Sequence, residues 1–143
     1  MIIIIDTREQ LPLSFTGHET FSRKLDEGDY NTTDLEDKIV IERKSPQDLY
    51  QSITSDHQRF KREIKRAIEK KKKFYIFIEG TLEDFYWLRW AKRDINMKPG
   101  TLYKIILTMK ERYGLIFVEC ITREIMVTKI IETIEKERTQ ARE

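Results

Sequence analysis

Cysteine is nearly absent from this chain of 143 residues, where Cys120 stands alone. A single thiol closes no internal disulfide and builds no cysteine-based zinc site, and it fits a reducing, intracellular setting. Long apolar runs are missing too. Nothing approaches the roughly 20 residues that cross a bilayer, so no membrane partner is expected. The opening Ile2-Ile3-Ile4-Ile5 run is too short for the apolar core of a signal peptide, and no basic stretch precedes it. Neither charge sign dominates, since the formal net charge is +2. There are no internal repeats and no low-complexity linker. What is present is 39% hydrophobic and 36% charged residues, the composition of a soluble globular domain with a heavily charged surface. A chain of this length buries one core. Residues 1–138 are read as one domain, and 139–143 as a charged tail expected to fray.

The distribution of charge says more than its sum. Nine basic residues lie between Arg59 and Lys73 against Glu63 and Glu69, while carboxylates gather at Asp6, Asp29 and Glu42. A basic surface beside an acidic pocket suits a metal-dependent enzyme acting on nucleic acid. Within the basic stretch, Arg59, Lys61, Arg62, Lys65 and Arg66 are the candidate phosphate contacts to a nucleic acid. Lys70 to Lys73 falls at a helix C-terminus, where it complements the helix dipole, and is read as structural. His18 and His57 have no partner at metal-ligand spacing.

Periodicity gives the elements. The β-branched run Ile2–Ile5 suits a central strand covered on both faces. Segment 10–25, with Pro12 and Gly17, reads as loop with a short strand near Thr20–Leu25. Asn31–Asp37 reads as a hairpin turn and Lys38–Arg43 as the returning strand. Ser45-Pro46-Gln47-Asp48 has the form of a helix start, with a capping Ser, Pro at the first helical position, and Asp48 able to close a capping-box-like pair. That helix runs through Ile53. A second starts after Thr54-Ser55-Asp56 and carries Phe60, Ile64, Ala67 and Ile68 on one face to about Lys71. Phe74–Glu79 is a buried strand. Residues 81–90 are aromatic-rich, helical or looped. Pro99 opens a helix that Gly114 ends, Leu115–Cys120 is a third buried strand, and a last helix spans about 123–138. Strands alternating with helices after a hairpin make an α/β domain, with a central mixed sheet flanked by helices.

The chemistry-bearing residues fall at strand ends. On a strand, Glu42 and Lys44 share a face while Arg43 points opposite. The hairpin can bring Asp29 beside Glu42, and Asp6 can join them from the end of the first strand. Converging carboxylates repel one another unless a cation sits among them. Mg²⁺ is hard, takes oxygen ligands, and is commonly held by one or two carboxylates, waters and phosphate. Lys44 then stands near the attacking water or the scissile phosphate as a compact positive charge. An acidic residue, a spacer, then acid-x-lysine on a strand is the layout of restriction-endonuclease-like nucleases.

Three motifs make the resemblance specific: Asp6-Thr7-Arg8-Glu9; Gly28-Asp29; and, after twelve residues, Glu42-Arg43-Lys44-x-x-x-Asp48. They resemble the signature of the XPF family of structure-selective endonucleases, an ERCC-type nuclease domain. Asp56-His57-Gln58-Arg59-Phe60-Lys61 is similar to that family's Arg-Phe segment, which implies that Arg59 lies near the active site. The opening is similar to compact forms of the domain in bacteria, archaea and phages. The resemblance extends from the first strand to the last helix. It implies a magnesium-dependent DNA endonuclease of restriction-endonuclease-like fold, with Mn²⁺ able to substitute. It implies Asp29 and Glu42 as metal ligands, Asp6 as a third ligand or a contact to metal-bound water, and Lys44 as catalytic. Arg8, Glu9, Arg43 and Asp48 become supporting residues, with Arg43 holding Glu9 or Asp48.

Structured or branched DNA is the substrate expected, and DNA repair the setting, in the cytoplasm if the source is a phage or a cell without a nucleus. The 143 residues as given are expected to leave no room for the helix-hairpin-helix module of larger relatives, a gap that disappears if they are a piece of a longer chain. Two other readings stay open: a catalytically silent DNA-binding scaffold, and a nuclease acting on RNA. A homodimer through the C-terminal helices is also expected. The helices at about 99–113 and 123–138, with Trp87 and Trp90, carry more large apolar side chains than one sheet face needs.

Overall fold

The computed structural model describes residues 1–91, 98 and 100–143. Six strands form one mixed sheet in the order β2-β1-β3-β4-β5-β6. They are β1 Ile2–Ile5, β2 Glu19–Ser22, β3 Tyr30–Asn31, β4 Ile39–Lys44, β5 Lys73–Glu79 and β6 Ile116–Cys120. β1 pairs parallel with β2 and antiparallel with β3. β3 and β4 form the antiparallel hairpin, and β4, β5 and β6 run parallel. The helices are α1 Pro46–Ile53, α2 His57–Glu69, α3 Leu82–Tyr86, α4 Thr101–Tyr113 and α5 Arg123–Arg142. Among the described residues, no helix is long and apolar enough to cross a membrane.

Alternation along the central strands builds two cores, one on each face of the sheet. Val40, Ile76 and Ile78 meet Leu49 and Ile53 of α1, Phe60, Ile64 and Ala67 of α2, and Leu102, Ile106 and Met109 of α4. On the opposite face Ile39, Ile41, Tyr75 and Phe77 meet Met126, Ile130 and Ile134 of α5. The apolar stripes of α4 and α5 are therefore each used by a different sheet face. Trp90 stacks on Phe85 with centroids 5.6 Å apart and leans on Tyr50 at 5.4 Å. Trp87 remains 51% exposed.

Several elements depart from expectation. β2 is Glu19–Ser22, exposed along its length, and pairs on the edge. Its residues alternate no apolar groups that could mark its register. β1 is covered only in part, since Ile2 is 50% exposed. β3 has two residues, so Asp29 precedes the strand instead of ending it. α2 starts after Asp56, whose side chain makes no cap bond, and Ile68 is 38% exposed. Gly100, in the left-handed region, precedes α4, and the expected opening at Pro99 lies outside the described residues. The edge strand β6 leaves Ile116 exposed.

α5 continues to Arg142, so residues 139–142 are helical where a frayed tail was expected. Its last turns are good helix formers. They are also tethered: Lys73 Nζ lies 3.0 Å from Glu137 Oε1 and 3.1 Å from Gln140 Oε1, and Tyr75 donates its hydroxyl to Glu137 at 2.5 Å.

Candidate active site

The hairpin is where the site begins. Gly28 has φ +84°, and a Cβ there would stand 2.9 Å from both the Ile41 carbonyl oxygen and Val40 Cγ1. Only glycine accepts that backbone and that approach. The next residue is thereby aimed at β4: the Asp29 amide donates to the Ile41 carbonyl at 2.8 Å, and Asp29 Oδ2 accepts the Arg43 amide at 2.7 Å. The β3–β4 ladder has ended at Tyr30 and Ile41, so a carboxylate takes the place of a strand partner. The Asp29 carbonyl in turn accepts the Asp6 amide at 2.8 Å, joining β1 to the same spot.

β4 then divides its side chains between the two faces. Glu42 and Lys44 point toward α2, with Lys44 Nζ 3.8 Å from Glu42 Oε1 and 5.3 Å from the Phe60 ring centroid. Glu42 is 7% exposed, and its Oε2 is buried without a hydrogen-bond partner. Burial pushes the Glu42 carboxyl well above the ordinary carboxylate range, with Asp29 and Glu63 adding to the rise and Lys44 opposing it. Burial likewise raises Asp29 to about 7, helped by Glu9 and Glu63 and opposed by the Arg43 amide and Lys44. A buried carboxyl with an unbonded oxygen beside a second raised carboxyl resists ionisation unless more positive charge than Lys44 supplies is placed there.

Arg43 faces the other way. Its Nη2 lies 3.2 Å from Glu9 Oε2 and its Nη1 3.5 Å from Glu79 Oε1. Tyr30 donates its hydroxyl to Glu9 at 2.6 Å and accepts the Leu13 amide at 2.9 Å. Burial pushes the Tyr30 hydroxyl above its usual value, and the Glu9 bond adds to that. Arg43 therefore holds Glu9, not Asp48. Asp48 stays exposed in the first turn of α1, where its amide donates to Ser45 Oγ at 3.1 Å.

Asp6 has hydrogen bonds on both of its carboxylate oxygens. Its Oδ1 accepts the Leu25 amide at 2.8 Å, and its Oδ2 accepts Arg8 Nε at 2.7 Å and the Arg8 amide at 3.1 Å. Against the upward push of burial, these bonds hold the Asp6 carboxyl below its ordinary value. Both oxygens are committed, and the residue they serve is Arg8, which also reaches the Leu25 carbonyl at 3.1 Å. Among the described residues, no group of three or more His, Cys, Asp or Glu side chains is gathered tightly enough to hold a metal. Asp29 and Glu42 lie together at this spot, with Glu63 near enough to push both carboxyls up.

A cleft of about 260 Å³ opens above Glu42 and Lys44, with Glu63 and four arginines, Arg8, Arg59, Arg62 and Arg66, on its walls. The α2 members recur every three to four residues and so share one helix face. Lys61 belongs to another face, where it lines a groove with Lys104 and Arg112 of α4. Lys65, four residues on, follows Lys61. The five cations expected to act together are thus split between two faces. Glu63 is the residue that sequence reasoning passed over, counted only as an interruption in a basic stretch. Its position four after Arg59 was the available signal.

A family model described as "ERCC4 domain" matches residues 5–131. No curated protein matches the chain. Among solved structures the chain is similar to XPF from Aeropyrum pernix, with a TM-score of 0.71 and 21% identity over 97% of this chain. It is equally similar to that protein in complex with DNA, at TM-score 0.71 and 21% identity over 98% of this chain. It covers 65% and 66% of those chains, just under two thirds of their length. The mixed sheet flanked by helices is that of the XPF nuclease domain, the restriction-endonuclease-like fold. The family model spans most of the sequence, and the chain belongs to the ERCC4 domain family.

Proposed function

We propose that this protein is a divalent-metal-dependent DNA endonuclease that hydrolyses phosphodiesters in branched or structured DNA. The observation that carries the reading is the buried, unpartnered Oε2 of Glu42 beside Asp29 and Lys44. A hard cation fits that donor set, because Mg²⁺ is held by one or two carboxylates and completes its shell with water and phosphate. Asp29 and Glu42 would hold it, and Mn²⁺ would substitute. The chemistry such a cation supplies is neutralisation of charge on the phosphate and a more acidic water.

The chain's own residues do the rest. Lys44 presents a fixed positive charge at the scissile phosphate, in a partly water-excluded cleft where charge counts for more. Arg59, Arg62 and Arg66 track the backbone, and Arg8, locked by Asp6, extends that surface across to the first strand. The motif carboxylates and Lys44 are all present, which favours an active enzyme over a silent scaffold. Pairing of two copies belongs to the same proposal. Of the exposed large apolar side chains, Ile116, Ile121 and Ile125 lie on β6, in the turn after it and at the start of α5, and they support a surface that includes the C-terminal helix. Light scattering decides it: a mass near one chain, with and without DNA, rules pairing out.

The test of substrate is a panel of labelled hairpin, flap, fork and four-way-junction DNAs with Mg²⁺ or Mn²⁺, beside matched RNAs. Cutting of branched DNA over linear duplex and RNA is the expected result. Cutting of RNA at equal rate, or of no substrate by a folded preparation, overturns the reading.

A further inference from the structure

The Lys70–Lys73 run resolves into two separate anchors, one of which touches the candidate site indirectly. α2 ends at Glu69 with Lys70 as its C-cap, and Lys71 adopts φ +60°, a left-handed conformation uncommon for a lysine. That reversal turns both neighbours toward Glu27. Lys70 Nζ lies 2.8 Å from Glu27 Oε1, and Lys72 Nζ lies 3.4 Å from Oε2. The Glu27 side chain is fully buried and that of Lys72 nearly so, at 8% exposed. A carboxylate so placed is tolerable only when paired, and it sits two residues before Asp29.

We propose that Glu27 is a positioning residue, and that its pairing with Lys70 and Lys72 fixes the segment that aims the Asp29 carboxylate. Residues 23–29 belong to no strand and hang from a few points. Arg23 donates its amide to the Ile5 carbonyl, Leu25 is bonded to Asp6 and Arg8, and Asp29 bonds Ile41. Between the Leu25 and Asp29 anchors, Glu27 supplies the buried contact from outside the β1–β4 strands, with an exposed and longer Lys70–Asp26 pair of 3.9 Å beside it. It ties the segment to the end of α2, the helix that carries Arg59, Arg62, Glu63 and Arg66 past the cleft. The same pair of lysines thus sets the floor of the site relative to its wall. The consequence for metal binding rests on the nuclease reading, but the geometry does not.

The Arg43 amide, bonded to Asp29 Oδ2 at 2.7 Å, reports the carboxylate's position with no metal or substrate present. Hydrogen exchange by NMR is compared between wild type and Glu27→Gln, under conditions where both are folded. Glu137→Gln is the control, since Glu137 is another buried carboxylate paired with a lysine, but at the α5–β5 contact. Glu27→Gln is expected to speed exchange of the Arg43 amide about ten-fold or more relative to the β6 amides, while Glu137→Gln leaves that ratio unchanged. Lys70→Met combined with Lys72→Met gives the same readout should Glu27→Gln not fold. An unchanged ratio, or a uniform rise across both strands, shows Glu27 to be a stabilising ion pair and overturns the proposal. Loss of cleavage by the wild-type protein would strike the nuclease reading and leave this ratio intact.

Discussion

Lys44 Nζ stands 3.8 Å from Glu42 Oε1, two positions away on one strand and therefore on one sheet face. The ammonium opposes the rise of both carboxyls, Glu42 and Asp29, and its placement over Phe60 fixes the stem. Lys44→Met keeps the stem and removes the charge. Single-turnover cleavage should fall by about 10²–10³, with Mn²⁺ affinity retained because both carboxylates remain. A cleavage rate equal to wild type would exclude Lys44 from the reaction.

The pH dependence has a definite sign. Asp29 is raised from an ordinary 3.8 to about 7, and Glu42 moves the same way. A raised carboxyl favours the folded state when protonated. That contribution is complete below about pH 4 and is lost as pH rises through about 7. The metal-free protein should lose thermal stability over this window, and Asp29→Asn should remove part of the loss. Divalent cation should stabilise more at about pH 8 than at about pH 5, because the ligands must be deprotonated to bind. Calorimetry at the two pH values checks both statements, and equal slopes for wild type and variant would contradict them.

The apolar strands β1, β4 and β5 were legible from the sequence, as were the helices α1, α2, α4 and α5, with the buried face of α2. The Glu42/Lys44 against Arg43 split followed from strand alternation alone. β2 was poorly legible because Glu19–Ser22 is exposed throughout and owes its place to pairing with β1. Strand position also could not reveal that Asp6 spends both oxygens on Arg8 and Leu25, since hydrogen bonding to a loop nineteen residues away leaves no local pattern. The end of α5 was missed because Glu137 is buried by Lys73 and Tyr75, contacts more than sixty residues distant. Glu63 was hidden by its neighbours, whose charges suggested a uniformly basic helix.

Gly28 offers a test of the hairpin. Gly28→Ala forces a Cβ to 2.9 Å from the Ile41 carbonyl oxygen at φ +84°. The combined strain and clash should cost about 1–3 kcal/mol or more. Urea denaturation measures it, and a stability unchanged from wild type would mean the turn can relax without cost.

The two faces of α2 should differ in their use of DNA. Replacing Arg62 and Arg66, which line the cleft, with alanine should lower the slope of log affinity against log salt by about 1–2. The same exchange at Lys61 and Lys65 should change it less. Fluorescence anisotropy over a range of salt reads both, and equal effects would mean that DNA does not distinguish the cleft face.

The central claim is that Asp29 and Glu42 hold the cation that cleavage needs. Its most direct test is hydrolysis of a branched DNA by wild type, Asp29→Asn and Glu42→Gln, each with Mg²⁺ and with EDTA. Wild type should cut with Mg²⁺ and not with EDTA, while each variant should bind the DNA nearly as tightly and fail to cut. Mg²⁺-dependent cutting by either variant at the wild-type rate would contradict the claim.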